Sequence, residues 1–212
     1  MNAAGCSDST SLPVVETFHS LQGEGLHAGR SAFFIRLGGC NVGCSWCDTK
    51  HSWPAAAHPQ RPVADLAQEA RAAAAAGAAF TVITGGEPLH QPLDQLCMAL
   101  RSSDLPIHLE TSGVDPLSGA FHWITLSPKR HRPPLPALLA ACHELKLVVH
   151  DADDLAFAEA MAEAARAVGN QPHLLLQPGW GSQPGQELSV AFVKSHPNWR
   201  LSLQSHKQLG VR

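Results

Sequence analysis

The chain has 212 residues, a length typical of one fairly large domain or two small ones, and 44% of them are hydrophobic, enough for a substantial core. Its net charge is −3 with the histidines neutral, and it has no lysine or arginine run, which argues against a nucleic-acid partner. No apolar run reaches the roughly 18–20 residues of a membrane span, which argues against a membrane protein.

The predicted elements begin after residues 1–12, which lack the charge and apolar run of a secretory signal. We expect this segment to be a disordered tail and residues 13–212 to form a single cytoplasmic domain. Apolar runs predict strands over residues 31–37, 80–84, 107–110, 123–126, 145–149, 173–177 and 200–203. Amphipathic patterns predict helices over residues 61–77, 92–101, 153–168 and 186–195, the third capped by Asp153 or Asp154. Prolines between residues 123 and 149 leave room for at most one short helix.

The alternation of strands and helices predicts an α/β fold with parallel strands joined by right-handed crossovers. Two architectures fit this pattern: a doubly wound open sheet and an incomplete β/α barrel. In both, ligands bind beyond the carboxyl ends of the strands. The segments that follow predicted strands are therefore expected on one rim: residues 40–47, 84–88, 110–113, 127–129 and 177–180.

Three cysteines follow the first predicted strand in the pattern Cys-x3-Cys-x2-Cys, at Cys40, Cys44 and Cys47. Thiolates bind zinc or iron–sulfur clusters. Zinc would take His51 as a fourth ligand, although structural zinc sites usually pair Cys-x2-Cys turns. Simple iron–sulfur electron carriers use four cysteines, whereas a four-iron cluster with three leaves one iron open to a small molecule. Three cysteines therefore favour a cluster that takes part in catalysis.

A second motif, Thr-Gly-Gly-Glu-Pro at residues 84–88, follows the next predicted strand. Its glycines would let the backbone approach a ligand whose polar end meets Thr84 or Glu87, unless the motif is a turn with Glu87 facing solvent. With both motifs, the chain resembles radical S-adenosylmethionine enzymes. The resemblance implies that the three cysteines hold a 4Fe-4S cluster whose open iron chelates S-adenosylmethionine, the source of a radical that abstracts hydrogen from a substrate.

Longer stretches narrow the resemblance, above all Leu-Gln-Gly-Glu-Gly at residues 21–25 and Gln-Ser-His-Lys at residues 204–207. They resemble the 7-carboxy-7-deazaguanine synthase family, and further matches run from about residue 14 to the C-terminus. The resemblance implies a partial, reduced (β/α)6-type barrel, usually a homodimer. It also implies ring contraction of 6-carboxy-5,6,7,8-tetrahydropterin to 7-carboxy-7-deazaguanine and ammonia in queuosine biosynthesis. S-adenosylmethionine would be used catalytically, with Mg2+ as a second cofactor and a flavodoxin- or ferredoxin-type electron donor.

The same resemblance assigns site residues, with no catalytic residue beyond the cluster ligands. The implied S-adenosylmethionine contacts are Trp46, Cys47, Asp48, Gly86, Glu87, Ser127, Pro128, Lys129, Gln177, Pro178, Gly179 and Trp180. The implied substrate contacts are Leu21, Gln22, Gly23, Glu24, Arg36, Thr84 and the terminal carboxylate of Arg212. Thr49 is the implied magnesium ligand.

Physical chemistry supports some of these assignments and leaves alternatives. An Arg36 guanidinium can bind a carboxylate through two hydrogen bonds, but it can equally form a structural ion pair. Gln22 and Glu24 can read the amino-pyrimidinone edge of a pterin, or merely stabilise a Gly-Glu-Gly turn. For the whole chain, two alternatives stay open: a glycyl-radical activating enzyme, and a zinc-binding or electron-transfer module.

Overall fold

A computed structural model describes residues 10–212, so residues 1–9 of the expected tail, including Cys6, lie outside the described residues. Strands and helices alternate along the rest of the chain. In chain order they are β1 (Ser11–Leu21), β2 (Ser31–Leu37), β3 (Gln60–Pro62), α1 (Val63–Ala75), β4 (Thr81–Gly85), α2 (Asp94–Leu100), β5 (Ile107–Thr111), β6 (Trp123–Leu126), α3 (Pro136–Ala141), β7 (Glu144–Val149), α4 (Ala152–Ala167), β8 (His173–Pro178), α5 (Gln183–Ser195), β9 (Trp199–Leu201) and α6 (Ser205–Leu209). No helix within residues 10–212 is long and apolar enough to span a membrane.

The strands form one sheet in the order β3-β1-β2-β4-β5-β6-β7-β8-β9. The strands β2 and β4 to β9 are parallel and follow one another in chain order, whereas β1 and β3 add antiparallel strands at one edge. A doubly wound sheet would reverse its strand order at a switch point, and this sheet does not. The partial barrel is therefore confirmed, with a seventh parallel strand, β9, beyond the six that the resemblance implied.

The first strand and the start of the first helix differ from the predictions. Ser11 and Leu12 were expected in the tail but belong to β1, because the Leu12 side chain is buried in the core at 1% exposure. They pair with Pro62 and Arg61. This pairing keeps residues 60–62 extended as β3, so α1 begins at Val63 and not at residue 61.

The cap of α4 is also one turn earlier than predicted. Asp151, and neither Asp153 nor Asp154, is the N-cap, and its carboxylate accepts a hydrogen bond from the Asp154 amide at 3.1 Å. The Asp154 side chain accepts in return from the Asp151 amide at 3.3 Å. This reciprocal capping box satisfies two amides that the helix itself leaves unpaired.

Along each strand, successive side chains point to opposite faces of the sheet. Phe33, Ile35 and Leu37 of β2 face the helices and join the main core. Their neighbours face the concave interior, where six adjacent parallel strands each contribute one polar side chain near the carboxyl end. These side chains are Arg36, Thr84, Glu110, Thr125, Lys146 and Gln177.

Candidate active site

A cavity of about 740 Å³ opens at the carboxyl ends of the parallel strands. Its wall contains every residue that the sequence assigned to a site except Pro128, which is buried outside that wall. The structure thus brings together segments that are far apart in the chain, as the rim argument predicted.

The three thiols lie in one stretch of this wall, after β2. The Cys47 amide donates to the Cys44 carbonyl at 3.2 Å, which closes a tight turn between the second and third thiols. Burial raises the pKa of the Cys40 and Cys44 thiols, and the Cys47 thiol adds to the effect. Thiolates at this place therefore need a positively charged partner, which iron would supply.

The donor set fits a multi-iron cluster better than a single zinc ion. Within residues 10–212, no three His, Cys, Asp or Glu side chains converge on a position for one metal ion. His51, the fourth ligand that zinc would need, is absent from the described cavity wall. Three thiols in one stretch of the cavity wall suit a cluster with one iron left for a non-protein ligand.

The glycines of the Gly-Gly-Glu motif have a packing role in addition to the approach to a ligand that was predicted for them. A Cβ added to Gly86 would lie 2.3 Å from the Gly39 carbonyl oxygen, and one added to Gly85 would lie 2.2 Å from the Leu37 carbonyl oxygen. The glycines let β4 pack directly against the backbone that leads into the cysteine loop. They hold the cluster loop in place, besides any approach to a ligand.

Glu87 does not face solvent, so that alternative is wrong: the residue is 2% exposed. Its carboxylate accepts from the Leu89 and Ser112 amides at 3.1 and 2.8 Å. It also accepts from the Thr111 and Ser112 hydroxyls, both at 2.5 Å. These four bonds occupy both carboxylate oxygens and fix the β5 loop against β4, so the contact of Glu87 with S-adenosylmethionine stays a prediction.

The loop at residues 21–25 packs directly against the C-terminal helix α6, and both segments line the cavity. The Gly23 carbonyl accepts hydrogen bonds from the amide and the hydroxyl of Ser205, both at 3.0 Å. A Cβ added to Gly23 would lie 2.0 Å from Nδ1 of His206. The two motifs that most resemble one family are therefore in contact with each other.

Gln22 is held in one orientation by its neighbours. Its amide group donates to Oε1 of Glu110 at 3.0 Å, and its carbonyl oxygen accepts from the Glu24 amide at 3.1 Å. The hydroxyl of Thr84 donates to the other oxygen of Glu110 at 2.9 Å. Glu110, which the sequence did not assign to the site, thus links two residues that it did assign.

Glu24 and Lys146 form a buried ion pair in the cavity wall, with side chains 17% and 6% exposed. Burial alone would raise the pKa of Glu24, but the Lys146 ammonium, with the side chains of Gln204 and Gln177, outweighs this effect and lowers that pKa to about 2. Burial would lower the pKa of Lys146, and the surrounding carboxylates reverse this effect and raise it. Both groups are therefore charged at neutral pH.

Arg36 lies in the cavity wall and also makes the ion pair that was its alternative role. Its Nε donates to Glu16 at 3.0 Å. Glu16 pairs in turn with the Arg212 guanidinium at 2.9 Å, and the Ser20 hydroxyl donates to the main-chain oxygen of Arg212 at 2.7 Å. The C-terminal residues therefore bridge from β9 to β1, across the open side of the partial barrel.

Aromatic and charged side chains surround the region next to the thiols. The ring of Trp46 lies 5.7 Å from that of His131 and 5.4 Å from that of His150. Lys207 of α6 contacts Asp48 at 2.5 Å and lies 5.1 Å from the centre of the Trp180 ring. The helix α6 thereby connects the cluster loop to the loop after β8.

The side chain of Gln177 is buried and already has a hydrogen-bond partner within the protein. It is 4% exposed, and its carbonyl oxygen accepts from the Ser202 hydroxyl at 2.8 Å. It also contributes to lowering the pKa of the Glu24 carboxylate. Contact of residues 177–180 with S-adenosylmethionine therefore stays a prediction.

Several residues in the cavity wall escaped the site assignment from sequence: Glu110, Lys146, His150, Gln204, His206 and Lys207. Glu110 and Lys146 occupy inward positions on predicted strands, so strand alternation combined with their charge could have identified them. The residues of α6 carry no such signal, since that helix was not predicted. Only the family resemblance drew attention to residues 204–207.

Comparisons with known proteins agree with this geometry. The profile of the radical SAM superfamily matches residues 34–125. A protein of Prochlorococcus marinus named 7-carboxy-7-deazaguanine synthase is 55% identical, with 96% of this chain and 99% of the relative covered. A Synechocystis protein of the same name is 48% identical, with 96% of this chain and 95% of the relative covered. The chain belongs to the 7-carboxy-7-deazaguanine synthase family.

A solved structure supports the same placement. The crystal structure of QueE from Escherichia coli superimposes with a TM-score of 0.76 at 31% identity, and 91% of this chain and 93% of that chain are covered. A member of the 7-carboxy-7-deazaguanine synthase family is a radical S-adenosylmethionine enzyme, so the cluster and S-adenosylmethionine predicted from the motifs are confirmed at the level of the family. This membership also replaces the two alternatives, an activating enzyme and a zinc or electron-transfer module.

Proposed function

We propose that this chain converts 6-carboxy-5,6,7,8-tetrahydropterin to 7-carboxy-7-deazaguanine and ammonia, with S-adenosylmethionine as a catalytic cofactor. The supporting observation is the contact between residues 21–25 and α6, in the wall of the same cavity as the three thiols. The thiols alone would suit many radical enzymes. A polar wall that joins Gln22, Glu24 and Glu110 suits a substrate rich in N–H groups.

We assign the binding of the cluster and of S-adenosylmethionine to different residues of the cavity wall. Cys40, Cys44 and Cys47 would hold the cluster, which together with S-adenosylmethionine supplies the hydrogen-atom abstraction that starts ring contraction. Trp46 and the loop at residues 177–180 would bind and orient the nucleoside part. Closure of the open side by α6 and Arg212 excludes water from the reacting groups.

Substrate recognition is assigned to the opposite part of the wall. Carboxylate oxygens of Glu24 and Glu110 and the fixed amide of Gln22 would accept and donate the hydrogen bonds of the amino-pyrimidinone edge. The remaining edge of the Arg36 guanidinium, beside its bond to Glu16, would bind the substrate carboxylate. The terminal carboxylate of Arg212 would contact the substrate as well.

Magnesium and the partners are further parts of the proposal. The Thr49 hydroxyl lies in the cavity wall 3.5 Å from the Cys47 sulfur, where it could supply one of the oxygen ligands of Mg2+. The five described cysteines are free, which is consistent with a reducing cytoplasm and with an external flavodoxin- or ferredoxin-type donor. Exposed apolar residues near the open edge strand β9, Leu201, Leu203 and Leu209, support a homodimer.

The proposed function is tested by anaerobic reconstitution with iron and sulfide, followed by incubation with S-adenosylmethionine, a chemical reductant and 6-carboxytetrahydropterin. We expect a brown protein and the mass of 7-carboxy-7-deazaguanine. A brown protein that forms 5′-deoxyadenosine without this product would show a different radical reaction. A colourless protein that holds one zinc ion would contradict the cluster.

A further inference from the structure

Lys146 is a buried cation that the proposed reaction does not yet use. It points inward from the middle of β7, is 5% exposed as a residue and lines the cavity. Three carboxylates act on it from three directions: Glu24 after β1, Glu110 on β5 and Glu144 at the start of β7. An ammonium so deep in a protein is costly unless it has a defined partner.

Its direct partner is Glu24, whose carboxylate receives hydrogen bonds from two separate parts of the chain. Lys146 donates to Oε2, and the Gln204 amide just before α6 donates to Oε1 at 2.8 Å. Gln177 of β8 lies near this carboxylate and contributes to lowering its pKa. Gln177 is itself fixed by the Ser202 hydroxyl, which also accepts from the Gly25 amide at 2.9 Å.

This arrangement does more than neutralise a charge. A carboxylate fixed on both oxygens keeps one orientation, and its remaining lone pairs can still accept hydrogen bonds from the cavity. Glu110 adds a second carboxylate to this part of the wall, whose other buried cation, Lys129, interacts with Glu87 and Glu24. An acceptor-rich wall of this kind is complementary to the N–H groups of an amino-pyrimidinone and not to a carboxylate or a phosphate.

We propose that Lys146 is a positioning residue of the pterin site, whose ammonium keeps the Glu24 carboxylate ionised and aimed at the N–H edge of the substrate. This inference rests on the proposed function and deepens it. Without Lys146, Glu24 would be left as a buried, unpaired carboxylate, which either takes up a proton or turns away. In both cases it no longer presents acceptors alone.

The test uses Lys146→Met, Glu24→Gln and the double variant, each loaded with cluster and S-adenosylmethionine. The probe is 6-carboxypterin, the stable oxidised form of the substrate, and its dissociation constant is measured by calorimetry together with the thermal midpoint. We expect Lys146→Met to unfold at lower temperature and to bind the probe at least about tenfold more weakly, the size of a lost charged hydrogen bond.

The double variant separates positioning from simple stabilisation. Removal of both charges relieves the buried unpaired carboxylate, so its thermal midpoint should return close to that of the wild type. Its affinity for 6-carboxypterin should nevertheless stay at least about tenfold weaker, while its affinity for S-adenosylmethionine changes less than about twofold. If the double variant binds the probe as tightly as the wild type, the pair is only structural and the inference is wrong.

Two controls keep the outcome readable. Lys194→Met removes an exposed cation from α5 and should leave probe binding unchanged. If Lys146→Met does not fold, the double variant and Glu24→Gln still carry the test. Failure of the wild type to bind 6-carboxypterin or to form product would refute the proposed function itself. Binding and product in the wild type with an unaffected double variant would refute the role of the Glu24–Lys146 pair in substrate binding and leave the proposed reaction standing.

Discussion

The interior of the partial barrel is lined by charged and polar side chains at the carboxyl ends of the strands and by stacked rings at their amino ends. On β5, Glu110 and His108 lie two residues apart and face the same side. Glu110 joins the polar wall beside the cavity, whereas His108 stacks on Phe80 with ring centres 4.2 Å apart. Further rings continue this packing at the amino ends of the strands: His27 lies 4.6 Å from Trp123, and Trp123 lies 5.2 Å from His143.

This difference separates a charged carboxyl end, which lines the cavity, from an uncharged amino end, which is filled by packed rings. Burial lowers the pKa of His108 to about 3, so the stacked rings stay uncharged and fill space at neutral pH. At the carboxyl ends, carboxylates outweigh the effect of burial and keep Lys146 charged. Changes at the carboxyl end should therefore affect chemistry, and changes at the amino end should affect stability.

The largest effect is expected from Cys44→Ala. The loss of one of three thiols should prevent assembly of a stable cluster, so iron content should fall and turnover should become undetectable. The free energy of unfolding should fall by less than about 2 kcal/mol, because the loop lies beyond the core strands. Cys97→Ala is the matched control: this buried cysteine of α2 lies outside the cavity wall, so iron and turnover should be kept. Turnover in the Cys44 variant would contradict the assignment.

Gly86→Ala should have the next largest effect. The new methyl group would collide with the Gly39 carbonyl, which is backbone and can yield only if the start of the cluster loop moves. We expect turnover to fall about tenfold or more, with lower iron content after reconstitution. In Gly77→Ala the methyl group meets nothing within 4 Å, and its backbone φ of +96° should cost only about 1 kcal/mol of stability. Equal iron loss in both variants would show that the collision is not the cause.

These glycines also show how far sequence reasoning reached. The spacing of the cysteines and the position of residues 84–88 after a strand placed both motifs correctly on the rim. The packing role of the glycines was not predicted, since contact with the backbone of Leu37 and Gly39 depends on the pairing of β2 with β4. A partner that lies 47 or 48 residues away in the chain leaves no local pattern.

The difference between local sequence patterns and contacts distant in the chain also explains which other elements of the fold were predictable. The parallel strands were predictable because apolar runs and their helices repeat, and their predicted bounds differ from the structure by two residues at most. The strand β3 and the helix α6 are short, and each depends on a distant partner: residues 11–13 for β3 and Gly23 for α6. The wall formed by Glu24, Glu110 and Lys146 likewise arises only when the loop after β1 meets β5 and β7, although Glu110 and Lys146 occupy inward positions on their strands.

Protonation of His108, at the amino end of the barrel interior, should have an intermediate effect, and this effect should be on stability alone. The pKa of His108 is depressed in the folded chain, so protonation favours unfolding as the pH falls below about 6.5 towards 3. Between pH 7 and pH 5 this group should cost about 2 kcal/mol of stability. His27, Arg30, His122 and His143 face it and act in the same direction.

His108→Phe tests this expectation, since a phenyl ring can keep the stacking on Phe80 without taking up a proton. Urea unfolding at pH 7 and pH 5 should show a smaller acid loss in the variant, with turnover at neutral pH unchanged. His19→Gln replaces an exposed histidine and should keep the acid loss of the wild type. The same acid loss in His108→Phe would assign the pH dependence to other groups.

The smallest effect is expected from Lys207→Met, which tests how α6 holds the carboxyl end together. Lys207 contacts Asp48 and Trp180, both assigned to S-adenosylmethionine binding, but it lies in a partly exposed position where ion pairs contribute about 0.2–1 kcal/mol. We expect affinity for S-adenosylmethionine to fall about two- to fivefold, and less at high salt because the ion pair is then already screened. Lys207→Arg should keep most of the affinity, and Lys194→Met on α5 should keep all of it. Wild-type affinity in Lys207→Met at low salt would show that the loops at Asp48 and Trp180 hold their positions without α6.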